Sequence, residues 1–108
     1  MEGKYTGGKG YGAEGEAKGL QKYAKSTGLK VFDKKVAARI QGLPYRYFDG
    51  LAKKSDGTYE GIEVKTNTAT RDAQQTTFDN MINSGTPARA KLNGRWITIT
   101  SVALVNWP

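Results

Sequence analysis

The stretch Tyr59-Glu60-Gly61-Ile62-Glu63-Val64-Lys65-Thr66 alternates apolar and charged side chains along its second half. Successive side chains of a β-strand point to opposite faces of the sheet, so the pattern predicts a strand that buries Ile62 and Val64. Glu63 and Lys65 would then lie together on the other face. A strand backed by the core is a rigid support for such a polar pair.

A hairpin is predicted to place a third polar residue beside this pair. The preceding strand is expected over Tyr45 to Leu51, and Asp49 directly follows its run Tyr45–Phe48. Between the two strands, Asp56-Gly57 is a strong signal for a tight turn. The turn would return the chain antiparallel and bring Asp49 next to the Glu63–Lys65 pair.

The remaining elements are expected on both sides of this hairpin. The spacing of Ala13, Ala17, Leu20 and Ala24 predicts a helix over residues 13 to 27, with Glu14 facing water and Glu16 at the margin of the core. Strands are expected at 29–32, 90–92 and 96–106, a second helix at 70–83, an undecided short helix or irregular link at 34–41, and a turn at Asn93-Gly94. The resulting order is α-β-β-β-α-β-β in one α/β (α+β) domain, 13–108, after a flexible glycine-rich lead-in, 1–12.

The composition narrows the chemistry of this domain. The 108 residues carry 17 Lys and Arg against 10 Asp and Glu, a formal net charge of +7, so phosphate polymers are natural partners. The chain has no cysteine and no histidine, which excludes thiolate, disulfide and histidine-based mechanisms. Acid–base work must therefore fall to carboxylates, lysine, tyrosine or metal-bound water. No run approaches the ~18 apolar residues of a membrane-spanning helix.

Asp49, Glu63 and Lys65 together suit metal-dependent phosphodiester hydrolysis. Mg²⁺ takes oxygen ligands, which two carboxylates and the main-chain carbonyl of Val64 would supply. Mn²⁺ and Zn²⁺ are alternative cations for this set. Lys65 would hold or activate the attacking water and offset negative charge. The competing interpretation is that these residues are ordinary solvated charges.

Four motifs together resemble the PD-(D/E)xK, or restriction-endonuclease-like, nuclease superfamily. They are Gly15-Glu16-Ala17, Phe48-Asp49-Gly50, Gly61-Ile62-Glu63-Val64-Lys65 and Gln75-Thr76-Thr77-Phe78-Asp79, within a span from Gly15 to about Gly85. The resemblance implies a restriction-endonuclease-like core, a mixed central sheet flanked by helices. It also implies that Glu16 supports the metal site from the first helix and that Gln75 supports the site or contacts substrate. The residue before Asp49 is Phe48 and not proline, which is a departure from the family name.

The chain is also similar to C-terminal toxin domains of bacterial contact-dependent inhibition and other polymorphic toxin systems. That similarity implies a monomeric endonuclease toxin, delivered as part of a larger secreted protein into the cytoplasm of a target cell. It further implies a cognate immunity protein, expected to be acidic because the chain is basic. DNA is the default substrate of the fold and tRNA the alternative, and a basic groove binds either.

Two other functions stay open at the level of sequence. One is a non-catalytic basic module that binds nucleic acid, and the other is a housekeeping nuclease for repair or junction resolution. In each case the expected phosphate contacts are Arg46, Lys53, Lys54 and Arg71. Tyr45 and Tyr47 are interpreted mainly as strand packing, with stacking on bases as the alternative. Trp96 and Trp107 are interpreted as packing residues of the last strands.

Overall fold

The computed structural model describes residues 8–66 and 69–107 of the chain, with side chains from residue 14 onward. These residues form two helices and seven strands of a mixed α+β domain: α1 (Gly8–Thr27), β1 (Val31–Phe32), β2 (Ala37–Ala38), β3 (Arg46–Tyr47), β4 (Gly50–Lys53), β5 (Tyr59–Thr66), α2 (Ala73–Asn83), β6 (Ala88–Leu92) and β7 (Arg95–Trp107). In the part of the chain so described, neither helix is long and apolar enough to cross a bilayer.

The main sheet has five strands in the order β1-β4-β5-β7-β6. Neighbouring strands are antiparallel except β5 and β7, which run parallel. The predicted hairpin is present, and Gly57 at its turn has a positive φ of 88° that glycine adopts without steric cost. The second predicted turn also forms, with φ of 52° at Asn93 and 81° at Gly94, as a type I′ connection requires. The turn chemistry of the sequence therefore predicts both hairpins.

The two faces of the sheet carry separate cores because the strand side chains alternate. On the α1 face, the buried residues are Leu20, Tyr23, Ala52, Ile62 and Val64. On the α2 face, the cluster includes Phe48, Leu51, Phe78, Ile82 and Ile99. Consecutive residues such as Leu51 and Ala52 thus belong to opposite cores, as a strand covered on both sides requires. The sheet is sandwiched between the helices, which fixes both faces of β5.

Helix α1 begins at Gly8, five residues before the predicted start, and so includes 8–12 of the expected lead-in; residues 1–7 lie outside the described part. Its predicted buried stripe is correct at Leu20 and wrong at Ala17, which is exposed. Gly15 and Gly19 are buried instead. A methyl group at Gly19 would lie 2.8 Å from Val64 Cγ2 and closer still to Cγ1. Close approach of the helix backbone to β5 therefore selects glycine, although glycine costs ~1 kcal/mol of helix stability relative to alanine.

Helix α2 starts at Ala73, three residues later than predicted. Asp72 is its N-cap and forms a reciprocal capping box with Gln75. The Asp72 side chain accepts a hydrogen bond from the Gln75 N–H, and the Gln75 side chain accepts one from the Asp72 N–H. Two main-chain donors at the helix start are satisfied in this way. The capping box fixes where α2 begins and which of its side chains face the sheet.

The predicted strand over Tyr45 to Leu51 is in fact two strands. β3 leaves the main sheet and pairs with β2, so that the undecided segment 34–41 contains a strand and no helix. This small sheet is joined to β6 by a pair of main-chain hydrogen bonds between Arg39 and Arg89. The chain changes sheets at Phe48-Asp49, and this break places Asp49 directly before β4.

Candidate active site

Asp49 is held against β5 by two main-chain hydrogen bonds. Its N–H donates to the carbonyl oxygen of Ile62 at 2.8 Å, and its Oδ2 accepts from the N–H of Val64 at 2.7 Å. The N–H and C=O of a strand residue point to the same edge of the strand, so the Val64 carbonyl also faces the side of Asp49. The break between β3 and β4 therefore fixes an aspartate beside the middle of β5.

Glu63 and Lys65 lie on one face of β5, as the alternation predicts. Lys65 Nζ is 3.2 Å from Glu63 Oε2, and the Glu63 side chain is almost fully buried. The other carboxylate oxygen, Oε1, accepts a hydrogen bond from Arg46 Nη1 at 2.9 Å. Each oxygen of Glu63 thus faces a cation of the protein itself, which offsets the cost of burying its charge.

Arg46, predicted to contact phosphates, is buried with 4% of its surface exposed. Its Nε and Nη2 donate to the two carboxylate oxygens of Asp79 at 3.0 and 2.9 Å, which makes a bidentate ion pair. Burial lowers the pKa of the Arg46 guanidinium, but the hydrogen bonds and charges of Asp79 and Glu63 outweigh it and raise that pKa. The prediction for Arg46 is wrong because β3 points this side chain inward.

Asp79 closes the fourth motif of the sequence, but its role as a buried ion-pair partner was not predicted. It is fully buried on α2 and also accepts a hydrogen bond from Arg71 Nη1 at 3.2 Å. The spacing of the sequence does indicate that Asp79 is buried. Phe78, Asp79 and Ile82 lie on the same side of α2, so this acid falls within the apolar stripe of the helix. A buried carboxylate needs a cation, and Arg46 and Arg71 supply it. The guanidinium of Arg71, predicted to contact phosphate, is therefore also engaged in an ion pair within the protein.

Glu16 reaches the site through Lys35, a second residue that the sequence did not indicate. Lys35 Nζ donates to Glu16 Oε1 at 2.5 Å and to Asp49 Oδ1 at 3.0 Å. Partial burial lowers the pKa of Lys35, but these two hydrogen bonds outweigh it and raise that pKa. Desolvation raises the pKa of Glu16, Lys35 opposes the rise, and Asp49 adds to it. One ammonium group is thus shared between two carboxylates from different elements.

These contacts bear on the fit of a divalent cation. Asp49 and Glu16 share the ammonium of Lys35, which lies between them, whereas Glu63 and Asp79 share the guanidinium of Arg46. The carboxylates of Asp49 and Glu63, the predicted ligand pair, are engaged by different side chains. Within residues 14–66 and 69–107 no three acidic groups converge. Asp49, Glu16 and the Val64 carbonyl offer oxygen atoms, the ligands that Mg²⁺ takes, but a cation held there would have to displace the Lys35 ammonium. Glu63 could contribute only after its ion pair with Arg46 or with Lys65 opens.

The other predicted residues have varied surroundings. Gln75 caps α2 with its side chain. Lys54 is half-buried, and its Nζ donates to Thr100 Oγ1 and Ser101 Oγ, so it does not project as predicted for a phosphate contact. Lys53 is exposed. Among the four predicted phosphate contacts, Lys53 therefore fits the expectation best, because the strand pleat turns it to solvent.

A cavity of about 370 Å³ lies between β3 and the start of α2. Its wall includes Tyr45, Tyr47, Gln74 and Gln75, together with Arg46. Both tyrosines are 55% exposed, so the interpretation of them as packing residues is wrong. They point outward because β3 alternates and turns Arg46 and Phe48 toward the core.

No family model matches the chain, and neither the curated proteins nor the solved structures contain a match. Function is therefore inferred from the chemistry of the site and from the sequence resemblance.

Proposed function

We propose that this protein is a metal-dependent endonuclease of the PD-(D/E)xK type that hydrolyses phosphodiester bonds of DNA or tRNA. The observation that carries the proposal is the position of Asp49, hydrogen-bonded to the Val64 N–H between Glu63 and Lys65. A mixed sheet with a helix on each face supports the restriction-endonuclease-like core. The net charge of +7 supports a polyanionic substrate.

The contacts of each residue in the candidate active site suggest its role in catalysis. Asp49 and Glu16, with the carbonyl of Val64, would hold Mg²⁺. Glu63 would join them once one of its carboxylate oxygens is released from Arg46 or Lys65. A bound divalent cation supplies charge neutralisation and a more acidic water. Lys65 is a partly exposed cation on the same face as Glu63, where it would orient the attacking water and offset developing negative charge. Lys35 holds the two acidic side chains together at the position that a divalent cation would take.

Cleavage with and without metal tests the proposal. Supercoiled plasmid and total tRNA are each incubated with the protein and Mg²⁺, Mn²⁺, Zn²⁺ or EDTA. We expect one polymer or both to be cut with a divalent cation and neither to be cut with EDTA, because removal of the cation leaves the phosphate charge uncompensated. Equal cutting in EDTA would contradict a metal mechanism, and no cutting with any cation would contradict the nuclease assignment.

A second candidate function is a non-catalytic module that binds nucleic acid. It is favoured by one observation: both oxygens of Glu63 are engaged by Arg46 and Lys65, as in a purely structural ion network. The same incubation separates the two functions, since a binding module retards the migration of plasmid or tRNA without cutting it.

We further propose that the domain acts as a delivered toxin with an acidic immunity protein as its partner. The proposal rests on the similarity to C-terminal toxin domains and on the strongly basic composition. Bacteria that express the wild-type chain are expected to stop growing, and those that express Lys65→Ala at the same level to grow normally. A housekeeping nuclease, by contrast, would be tolerated in its wild-type form.

A further inference from the structure

Three large aromatic side chains lie exposed on one connected surface. Tyr47 is the last residue of β3 and Tyr45 directly precedes that strand. Trp96 on β7 is 47% exposed, so it is not a core residue. The pleat explains all three positions, because Arg46 and Phe48 alternate with the tyrosines, and Trp96 is paired with outward-facing Lys91 across the β6–β7 ladder. A domain of this size has little reason to leave three such rings in water.

Basic side chains lie over these rings. The guanidinium of Arg39 is 5.0 Å from the ring centroid of Tyr45 and 5.2 Å from that of Trp96, so it links the two aromatics. Arg89 and Lys91 lie 5.7 and 5.8 Å from the Trp96 ring. The double hydrogen bond between the backbones of Arg39 and Arg89 joins the small sheet to β6 and fixes this arrangement. We call the six residues Tyr45, Tyr47, Arg39, Arg89, Lys91 and Trp96 the aromatic platform.

We propose that the aromatic platform binds unpaired nucleotides of a nucleic-acid strand. Flat exposed rings stack on the faces of bases, and neighbouring cations neutralise phosphates, which is the pattern of proteins that bind single strands. In a duplex the base faces are covered by their neighbours, so only unpaired bases can stack on the rings. An apolar protein partner would leave Arg39, Arg89 and Lys91 without anions, whereas a strand supplies one phosphate per nucleotide.

The platform adjoins the candidate active site along the chain. Tyr47 precedes Asp49 by two residues, so their Cα atoms are at most about 7 Å apart. The carbonyl of Tyr47 also accepts a hydrogen bond from Arg46, which holds Glu63. The cavity beside Tyr45 and Tyr47 has a volume at the lower end of the range for small-molecule pockets and offers the amide of Gln74 to a base. This inference deepens the proposed function, on which its link to cleavage rests, by naming unpaired nucleotides as the substrate.

Binding measured without cleavage tests the platform. Fluorescence anisotropy in EDTA is recorded with labelled oligonucleotides of about ten nucleotides: single-stranded RNA, single-stranded DNA and the DNA duplex of the same sequence. The wild-type protein is expected to bind a single strand at least about tenfold more tightly than the duplex. Tyr47→Ala and Trp96→Ala are each expected to weaken single-strand binding by about fivefold or more, since each removes a stacking surface. The RNA and DNA arms show which sugar the platform prefers.

Two control variants separate stacking from general effects. Leu104→Ala removes an exposed apolar side chain outside the platform, and Lys25→Ala removes one positive charge from α1, also outside the platform. Both should bind the single strand within about twofold of the wild-type protein. Circular dichroism melting should show that all four variants are folded.

The outcomes distinguish this inference from the proposed function. Equal affinity for duplex and single strand, or unchanged binding by both Tyr47→Ala and Trp96→Ala, would overturn the platform even if the protein is a nuclease. Preferential single-strand binding that both substitutions weaken would support the platform even if no metal ion activates cleavage.

Discussion

Replacement of Lys65 by alanine is expected to lower the rate of phosphodiester hydrolysis by at least about a hundredfold, the usual scale for loss of a positioned proton-transfer or charge-stabilising group. Two cations pair with Glu63. Lys65 is partly open to solvent, whereas Arg46 is buried and also paired with Asp79. The fold should persist, because Glu63 retains Arg46 as its partner. Single-turnover cleavage of plasmid and tRNA measures the rate, and thermal melting checks the fold.

Lys25→Ala is the matched control for this substitution. Lys25 is an exposed lysine in the last turn of α1, so its replacement removes the same charge and the same side chain without touching Glu63. Its cleavage rate should stay within about threefold of the wild-type rate, the effect of one surface charge on binding a polyanion. Equal losses in the two variants would mean that only net charge matters and would contradict a specific role for Lys65.

Asp79→Ala is expected to lower the free energy of unfolding by about 3–5 kcal/mol, because it leaves the buried guanidinium of Arg46 with one carboxylate instead of two. A domain of this size has a total stability of roughly 5–15 kcal/mol, so the loss is a large fraction of the whole. Urea denaturation followed by circular dichroism measures it. Glu63 should lose its fixed orientation in the same variant, since Arg46 is its link to α2.

Asp33→Ala is the control for that prediction, since Asp33 is exposed, and it should change the unfolding free energy by no more than about 0.5 kcal/mol. The double variant Arg46→Met/Asp79→Leu should be destabilised by less than the sum of its two single variants, because neither charge is then left alone. A loss below about 1 kcal/mol in Asp79→Ala would show that the ion pair is not buried as described.

Strand β5 and the two hairpins of the main sheet can be predicted from the sequence because they depend on residues that are close together along the chain. Strand β5 follows from alternation, and both hairpins follow from the turn pairs Asp56-Gly57 and Asn93-Gly94. The observed order of elements in the described residues is α-β-β-β-β-β-α-β-β, two strands more than the predicted α-β-β-β-α-β-β, because the small β2–β3 sheet was not expected. The position of Asp49 beside Val64 also follows from the hairpin, since pairing across the turn sets the register.

The parts that were missed depend on contacts between distant residues. Gly15 and Gly19 are selected by the approach of α1 to Val64, and a search for apolar spacing overlooks a stripe made of glycine. The inward direction of Arg46 depends on Asp79, 33 residues further along the chain. Lys35 joins Glu16 to Asp49 from an irregular link that has no periodicity to interpret. In each case the partner, and not the local pattern, decides the role.

The central claim, that Asp49, Glu63 and Lys65 form a metal-dependent nuclease centre, is tested most directly by one cleavage measurement. Wild type, Asp49→Asn, Lys65→Ala and Lys25→Ala are incubated with plasmid and tRNA in Mg²⁺, with EDTA as the blank. We predict that wild type and Lys25→Ala cut at least one polymer, that Asp49→Asn and Lys65→Ala cut neither, and that EDTA stops all cutting. Cutting by Asp49→Asn or Lys65→Ala at the wild-type rate, or an intact plasmid and tRNA with the wild-type protein, would contradict the claim.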